Sequence, residues 1–467
     1  MSRNGRLAFV ITLITVSVGM LGLEYCVQLS RAETRTWSVD DDGLADFHKI
    51  QEAINAAEAG DTIVVRNGTY YENVVVNRTL TLVGENCVAT IVDGNRTGSV
   101  ISVTCSNVAV EGFTFCNANR TNSTQGFGII AYNIVNCSFH GNMLRDNYYG
   151  IGLISCINSS VVNNNVEYNI VGVITESNSN YTVSDNIVSN NLYNGILIQN
   201  SNNCVVNNNY VTRSNYGIRV ENSNDCSISN NTVEKTVCYG IEILSSHSSR
   251  VNNNTANENY HLGISIRHSL DSTISKNSLK NNMNWYGLEI YSSNDSRALD
   301  NMLNDNYHGM QLWYSSNCEI HGNEINDSLN GIYIGSSKNS KVSSNTLKNN
   351  FYGLLLLSSS KCTINANTVK NSRYWGIWMY NSSENMLFHN NFMNNIAQTF
   401  IANSANVWNE SVEGNYWSNY HGEDRDFDGV SEEAYIINEN NIDNHPLLGY
   451  FSNFKTSLGH SIYTICN

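Results

Sequence analysis

The chain has 467 residues, 26 Lys and Arg against 41 Asp and Glu, a formal net charge of -15 and a pI near 5.1. This acidity excludes a basic face for nucleic acid, and a hydrophobic content of 41% excludes a disordered chain. Seventy-eight residues are Asn and only Pro446 is proline; since Asn, Ser and Gly are poor interior helix residues, a long helical bundle is excluded as well.

Arg3 and Arg6 precede an uncharged run from Leu7 to Leu23, which Glu24 closes. That is the order of a secretory signal. The run of seventeen residues is slightly shorter than the ~20 that span a bilayer, so residues 1–31 are read either as a cleaved signal peptide or as a retained anchor. Both readings export the chain, to be secreted or anchored at the cell surface, and membrane contact is expected only through this segment. Leu23, Glu24 and Tyr25, just before Cys26, lack the small residues of a lipoprotein site. Fourteen Asn-x-Ser/Thr sequons, among them Asn67, Asn180, Asn253 and Asn381, are compatible with surface glycosylation.

Residues 36–127 read as an amino-terminal cap and first coils. Asp46, Phe47, Ile50, Ile54 and Ala57 fit a short amphipathic helix stopped at Gly60, suited to covering the open end of a repeat array. Strand patterns follow at Thr62 to Val65 and Asn73 to Val76.

From 128 to 397 one pattern repeats. A glycine followed by apolar, variable, apolar recurs at Gly128, Gly150, Gly172, Gly195, Gly217, Gly240, Gly263, Gly287, Gly309, Gly331, Gly353 and Gly376. The eleven intervals span 248 residues, a mean near 22.5, and a fixed period in this range marks a solenoid whose units bury their apolar faces by stacking. With the glycine as phase zero, apolar residues fall at phases one and three, as in Ile218 and Val220, and again at eleven and sixteen, as in Ile228 and Val233. The first pair has the period of a strand. Phase fourteen is Asn in all twelve units, from Asn142 to Asn390. This column is expected to hold positive-φ turns and to hydrogen-bond along the stack as an asparagine ladder. The fold class predicted is all-β: a single-stranded right-handed parallel β-helix of ~22-residue coils with an amino-terminal capping helix, and eleven coil steps of roughly 4.8 Å make a rod of about 50 Å.

The text DFHKIQEAINAAEAGDTIVVRNGTYYENVVVNRTLTLVGEN resembles the opening of the pectate-lyase-like right-handed β-helix superfamily. With its downstream repeats the chain is similar to the NosD-like and carbohydrate-binding, sugar-hydrolysis β-helix group common among exported archaeal and bacterial proteins. The resemblance covers about Thr36 to Tyr450 and departs at Asn67, where the family usually has proline. It implies that polysaccharide binds, and in the enzymes is cleaved, on the outer face of the parallel sheet.

Cys137, Cys204, Cys226, Cys318 and Cys362 all fall at phase nine, where other coils place Ser. A site shared by Cys and Ser is a small buried stack, so free thiols are expected here, including Cys204 and Cys226.

If phases one and three point inward, two and four point outward. The outward set contains Glu176, Arg219, Glu221, Glu242, Arg267, Glu289, Tyr291, Gln311, Trp313, Tyr333, Trp378 and Tyr380. Aromatic faces stack on sugar rings while Arg and carboxylates hold hydroxyls or uronates, so Arg219, Glu289, Tyr291, Trp313, Tyr333, Trp378 and Tyr380 are candidates for contact with an extracellular polysaccharide or envelope glycan. Glu221 and Glu242 are one coil and two residues apart, roughly 8 Å between backbones. That spacing suits the carboxylates of an inverting hydrolase, and Arg267 suits a lyase as clamp or base; the alternative for all three is a solvated sheet face. The aromatics just before the repeat glycine, Tyr149, Tyr216, Tyr239, Tyr286, Tyr352 and Trp375, read as turn packing.

Residues 398–467 leave the repeat and form a carboxy-terminal cap. GNYWSNYHGEDRDFDGVSEEAYIINENNIDNHPL looks like the ending of many NosD-like archaeal β-helix proteins. Asp424, Asp426, Asp428 and Gly429 have the spacing of a Ca²⁺ loop, with Glu432 or Glu433 in place of the distant ligand, against a plain acidic turn. For copper the cue is His308 beside Met310, with no Cys/Met/His cluster. Three readings of function result: a glycan-binding exported protein; a polysaccharide hydrolase or lyase; a surface-layer or metal-accessory protein.

Overall fold

The computed structural model describes residues 34–452, Asn122 excepted; the apolar segment read as a signal or anchor lies outside them. Among the described residues, no helix is long and apolar enough to cross a membrane.

The chain winds as a right-handed parallel β-solenoid with three sheets of 16, 15 and 16 strands. One turn shows the plan. A six-residue strand, Tyr216–Glu221, is followed by Ser227–Ser229 and Thr232–Glu234, and the next six-residue strand, Tyr239–Leu244, lies on the first. Ile218 pairs with Ile241 and Val220 with Ile243. All four side chains are excluded from solvent, as are Ile228 and Val233 from the two short strands. Fifteen steps along the longest sheets give a rod on the order of 70 Å, longer than the twelve glycine units alone imply because coils without the glycine precede and follow them.

The four corners of each turn explain the asparagine. In the turn that begins at Gly217, positive φ occurs at Asn222, Asp225, Asn230 and Lys235. Each is followed by a buried small or polar residue: Ser223, Cys226, Asn231 and Thr236. The expectation that the phase-fourteen Asn itself takes positive φ is therefore corrected. The left-handed residue is the one before it, and the ladder residue turns inward with its N–H along the rod axis. Asn231 N donates to Asn254 Oδ1 at 2.9 Å, and Ser223 N to Ser246 Oγ at 3.0 Å. Unlike a helix end, these corners thus satisfy their inward N–H groups from the next coil. The phase-nineteen column, which includes Asn259, Asn282 and Asn306, is a second Asn ladder that the repeat analysis did not find.

The repeat glycine permits close stacking at one corner. A Cβ on Gly263 would stand 2.6 Å from Gly287 O and 2.8 Å from Leu279 Cδ2, so any larger residue forces the coils apart.

Cys204 and Cys226 are paired as a disulfide, with Cα atoms 4.7 Å apart. This corrects the reading of all phase-nine thiols as free: neighbouring coils hold the two Cα atoms within disulfide reach. Cys137, Cys318 and Cys362 are free and buried.

The ends are closed. The helix Ile50–Ala56 buries Ile50, Ala53 and Ile54, and Glu72 caps its first N–H groups at 2.9 and 3.0 Å. Asp46 and Phe47 precede this helix; Phe47 instead bridges to Val39. At the other end Trp417 stacks on Phe392, and Asp443 accepts from Asn415 N at 2.8 Å and Trp417 Nε1 at 2.9 Å. Asn415 in turn accepts from Asn390, so the phase-fourteen ladder runs into the cap.

Candidate functional site

Nearly all the six-residue strands lie in the 15-stranded sheet, the long sheet by strand length, and its outer face carries two columns, two residues apart along the strand, whose successive members are one coil step apart. Along phase two stand Arg219, Glu242, Ser265, Glu289, Gln311, Tyr333, Leu355 and Trp378; along phase four stand Glu221, Leu244, Arg267, Tyr291, Trp313, Gly335, Leu357 and Tyr380. The register therefore brings together the outward residues from Arg219 to Tyr380 that the sequence picked out. Glu176 lies two coils earlier, beside an apolar patch that includes Ile174 and Leu197.

Outward does not mean solvated here. Glu242 is 4% exposed and Glu289 1%, and Gln311 and Tyr333 are also buried. The reason is lateral: at a coil spacing of ~4.8 Å, long neighbours on both sides close over a side chain. The charges accordingly pair with each other rather than with water. Arg267 makes a two-point contact with Glu289, Nε to Oε2 at 2.8 Å and Nη2 to Oε1 at 3.3 Å, and Ser265 Oγ adds a bond at 2.8 Å. Arg219 touches both proposed catalytic carboxylates, Glu221 at 3.4 Å and Glu242 at 3.3 Å. Its guanidinium thus bridges the two groups between which an inverting hydrolase holds its water.

The aromatics before the glycine belong to this face rather than to a turn. The Arg219 guanidinium lies 4.9 Å from the Tyr216 ring, and that of Arg267 lies 5.2 Å from Tyr239 and 5.5 Å from Tyr291. Strict alternation would point this position inward. The register skips the glycine that follows it, and the pleat breaks there. Burial pushes the Tyr239 phenol up to about 12.

Burial also raises the Glu242 carboxyl above its ordinary range, only partly opposed by Arg219 and Arg267. A carboxyl raised in the folded state favours folding below its unfolded range and loses that contribution as pH rises through its shifted value. Glu242→Gln is therefore expected to raise the melting temperature near neutral pH by roughly 1 °C or more, with the gain vanishing near about pH 4. Melting curves at the two pH values check this; an equal gain at both would contradict it.

Beyond the charges the face is aromatic and holds two adjoining cavities. One, about 360 Å³, is lined by Trp285, Tyr286, His308, Gln311 and Trp313 among others. The next, about 240 Å³, is lined by His308, Tyr333, Leu355, Leu357, Trp378 and Tyr380 among others. Gly335 makes room between Trp313 and Leu357: a Cβ there would meet the Tyr333 hydroxyl at 3.3 Å. Several buried polar atoms on this face lack a hydrogen-bond partner, namely His308 Nδ1, Gln311 Oε1, Trp313 Nε1 and Trp378 Nε1, with Arg219 Nε and Glu242 Oε2 in the charged part. Burial holds His308 neutral, its pKa lowered to about 4.

A family model described as right handed beta helix region matches residues 60–256 and 172–325, together more than half of the chain. The chain belongs to the right-handed β-helix family. Within this β-helix, residues 263–422 also match a model described as periplasmic copper-binding protein (NosD). A cell surface glycoprotein of Methanothermus fervidus is 33% identical over 112 residues, 22% of this chain and 18% of that protein. A probable ABC transporter binding protein NosD of Pseudomonas aeruginosa is 40% identical over 60 residues, 13% of this chain and 14% of that protein. The chain thus spans less than a fifth of either curated relative. Among solved structures, the mannuronan C-5 epimerase AlgE6 A-module of Azotobacter vinelandii superposes with a TM-score of 0.41 at 15% identity, covering 77% of this chain and 94% of that one. The catalytic domain of a GH87 alpha-1,3-glucanase gives 0.32 at 12% identity, covering 84% and 70%.

Among the described residues, His308 and Met310 do not combine into a copper site. His308 and Met310 lie on one strand but on opposite faces, Met310 fully within the core. Among the described residues, the groups able to share one ion contain carboxylates only: Asp40, Asp41 and Asp42 at one end, and Asp424, Asp426 and Glu432 at the other. Hard oxygen sets suit calcium or magnesium rather than copper. In the second group Glu432 takes the place given to Asp428, whose Oδ1 instead accepts from Val430 N at 2.8 Å.

Proposed function

We propose that this β-helix acts outside the cytoplasm and binds polysaccharide along the outer face of its long sheet, from Arg219 to Tyr380. The observation that carries the reading is the set of unpartnered polar atoms between aromatic rings: Gln311 Oε1, an acceptor, and Trp313 Nε1 and Trp378 Nε1, both donors. A buried polar group without a partner costs about 1–3 kcal/mol, and sugar hydroxyls both donate and accept while their ring faces stack on indole and phenol. The descriptions periplasmic and cell surface, attached to the matched model and relative, support an extracytoplasmic location. Binding without cleavage is favoured over hydrolysis because Arg219 bridges Glu221 and Glu242 and Arg267 is engaged by Glu289.

Titration calorimetry against a panel of oligosaccharides tests this. Trp378→Ala should weaken binding severalfold, by about 1 kcal/mol. Because Trp378 also packs against Tyr352, Trp375 and Phe400, Trp378→Phe is the second variant, since it keeps a ring and removes the indole N–H. Tyr210→Ala, an exposed aromatic on a different sheet, should leave affinity unchanged. Equal affinity for all three variants would remove this face from the reading, and release of reducing ends would show a hydrolase instead.

A further inference from the structure

Resting on that reading, we infer that the face is selective for uncharged glycans and rejects uronates. The charge census of the outer columns decides it. From Arg219 to Tyr380, phases two and four carry three carboxylates, Glu221, Glu242 and Glu289, against the two guanidiniums of Arg219 and Arg267. Both cations stand beside carboxylates of the same face. Arg267 is held at two points by Glu289 and flanked by the rings of Tyr239 and Tyr291, and Arg219 is shared between Glu221 and Glu242 over Tyr216.

A uronate laid along the two columns would bring its carboxylates onto Glu242 and Glu289, where little water remains to screen them. Recognition of a carboxylate favours an uncommitted guanidinium fork; on this face the Arg267 fork is taken by Glu289, and Arg219 stands within ion-pair distance of two carboxylates. The aromatic half, from Trp313 to Tyr380, carries no charge in either column, and His308, which lines both cavities, is neutral near neutral pH. Neutral hexoses satisfy this half with hydroxyls and ring faces alone. The paired charges then act as the polar end of the groove, where Glu221, the more exposed carboxylate, accepts from hydroxyls.

The test is calorimetry at neutral pH with two sets of hexasaccharides: neutral cello-, manno- and laminarihexaose, and the galacturonate and mannuronate hexamers. The expected result is binding to a neutral member with every uronate at least tenfold weaker. Glu221→Gln, which removes one carboxylate from Arg219, should raise uronate affinity severalfold relative to that of the best neutral ligand, narrowing the ratio between the two sets. Uronate binding equal to or tighter than neutral binding, weakened by Trp378→Phe, would overturn the selectivity while keeping the glycan face. Failure of both sets to bind would overturn the glycan face itself, and the selectivity with it.

Discussion

Asn254→Leu is expected to be among the most destabilising single changes in the rod, by roughly 3–5 kcal/mol. Asn254 is buried and donates through Nδ2 to Ile228 O at 2.9 Å and to Asn277 Oδ1 at 3.0 Å. Its Oδ1 accepts from both Asn231 N and Asn231 Nδ2 at 2.9 Å. Leucine has the same branching but is bulkier and neither donates nor accepts, so donors on Asn231 and the carbonyl of Ile228 lose partners in a site that water does not reach. The bonds run from coil to coil, so the damage reaches two neighbours. In a solenoid, stability is approximately the sum of each repeat's own stability and its coupling to its neighbours. Chemical denaturation followed by far-ultraviolet circular dichroism reads the effect. A midpoint equal to that of the parent protein would show that the ladder contributes nothing, whereas Asn254→Ser should fall between the two.

Glu289→Ala is expected to cost about 3 kcal/mol, the lower part of the range for breaking a buried ion pair, because Arg267 retains some solvent contact. The loss comes from the partner left behind. Arg267 would keep its charge between Tyr239 and Tyr291 with no carboxylate opposite, and Ser265 Oγ would lose its acceptor. Removing both members, as Glu289→Leu with Arg267→Leu, should recover most of the loss, since a filled apolar site of this kind often equals a buried pair. A double-mutant cycle on melting free energy measures the coupling. Coupling below about 0.5 kcal/mol would place the pair among ordinary surface charges. Added salt should change it little, since screening acts weakly on buried pairs.

Much of the fold was legible because a solenoid repeats its constraints. Each coil meets the same neighbour in the same way, so Gly217, Ile218, Val220 and Asn231 recur with their surroundings, and a period of about 22 residues exposes them without any knowledge of the turns. The correction at the ladder shows where this stops. The column of Asn was visible, but the left-handed residue is the one before it and varies among Asn230, Asn253, Lys276 and Asp300, types with no single signature. The second Asn ladder was harder to see because Ser214, Thr236, Ser328 and Ser372 interrupt it. Cys204 and Cys226 shared a phase with serine, which suggested a small stack; their pairing depended on two cysteines falling in adjacent coils.

By itself the sequence determined the winding, the inward apolar columns and the outward set from Arg219 to Tyr380, because strand alternation and a fixed period are properties of the chain alone. Only the tertiary structure decided which outward residues are covered. Glu242 and Glu289 are buried by residues about 22 to 24 positions away, and Tyr239 leans over Arg267 because the pleat breaks at Gly240. Likewise Glu432 rather than Asp428 joins Asp424 and Asp426, since the acidic turn folds back on itself. Partners across coils and loops, not neighbours in sequence, set the burial, charge pairing and unpartnered atoms on which the candidate site depends.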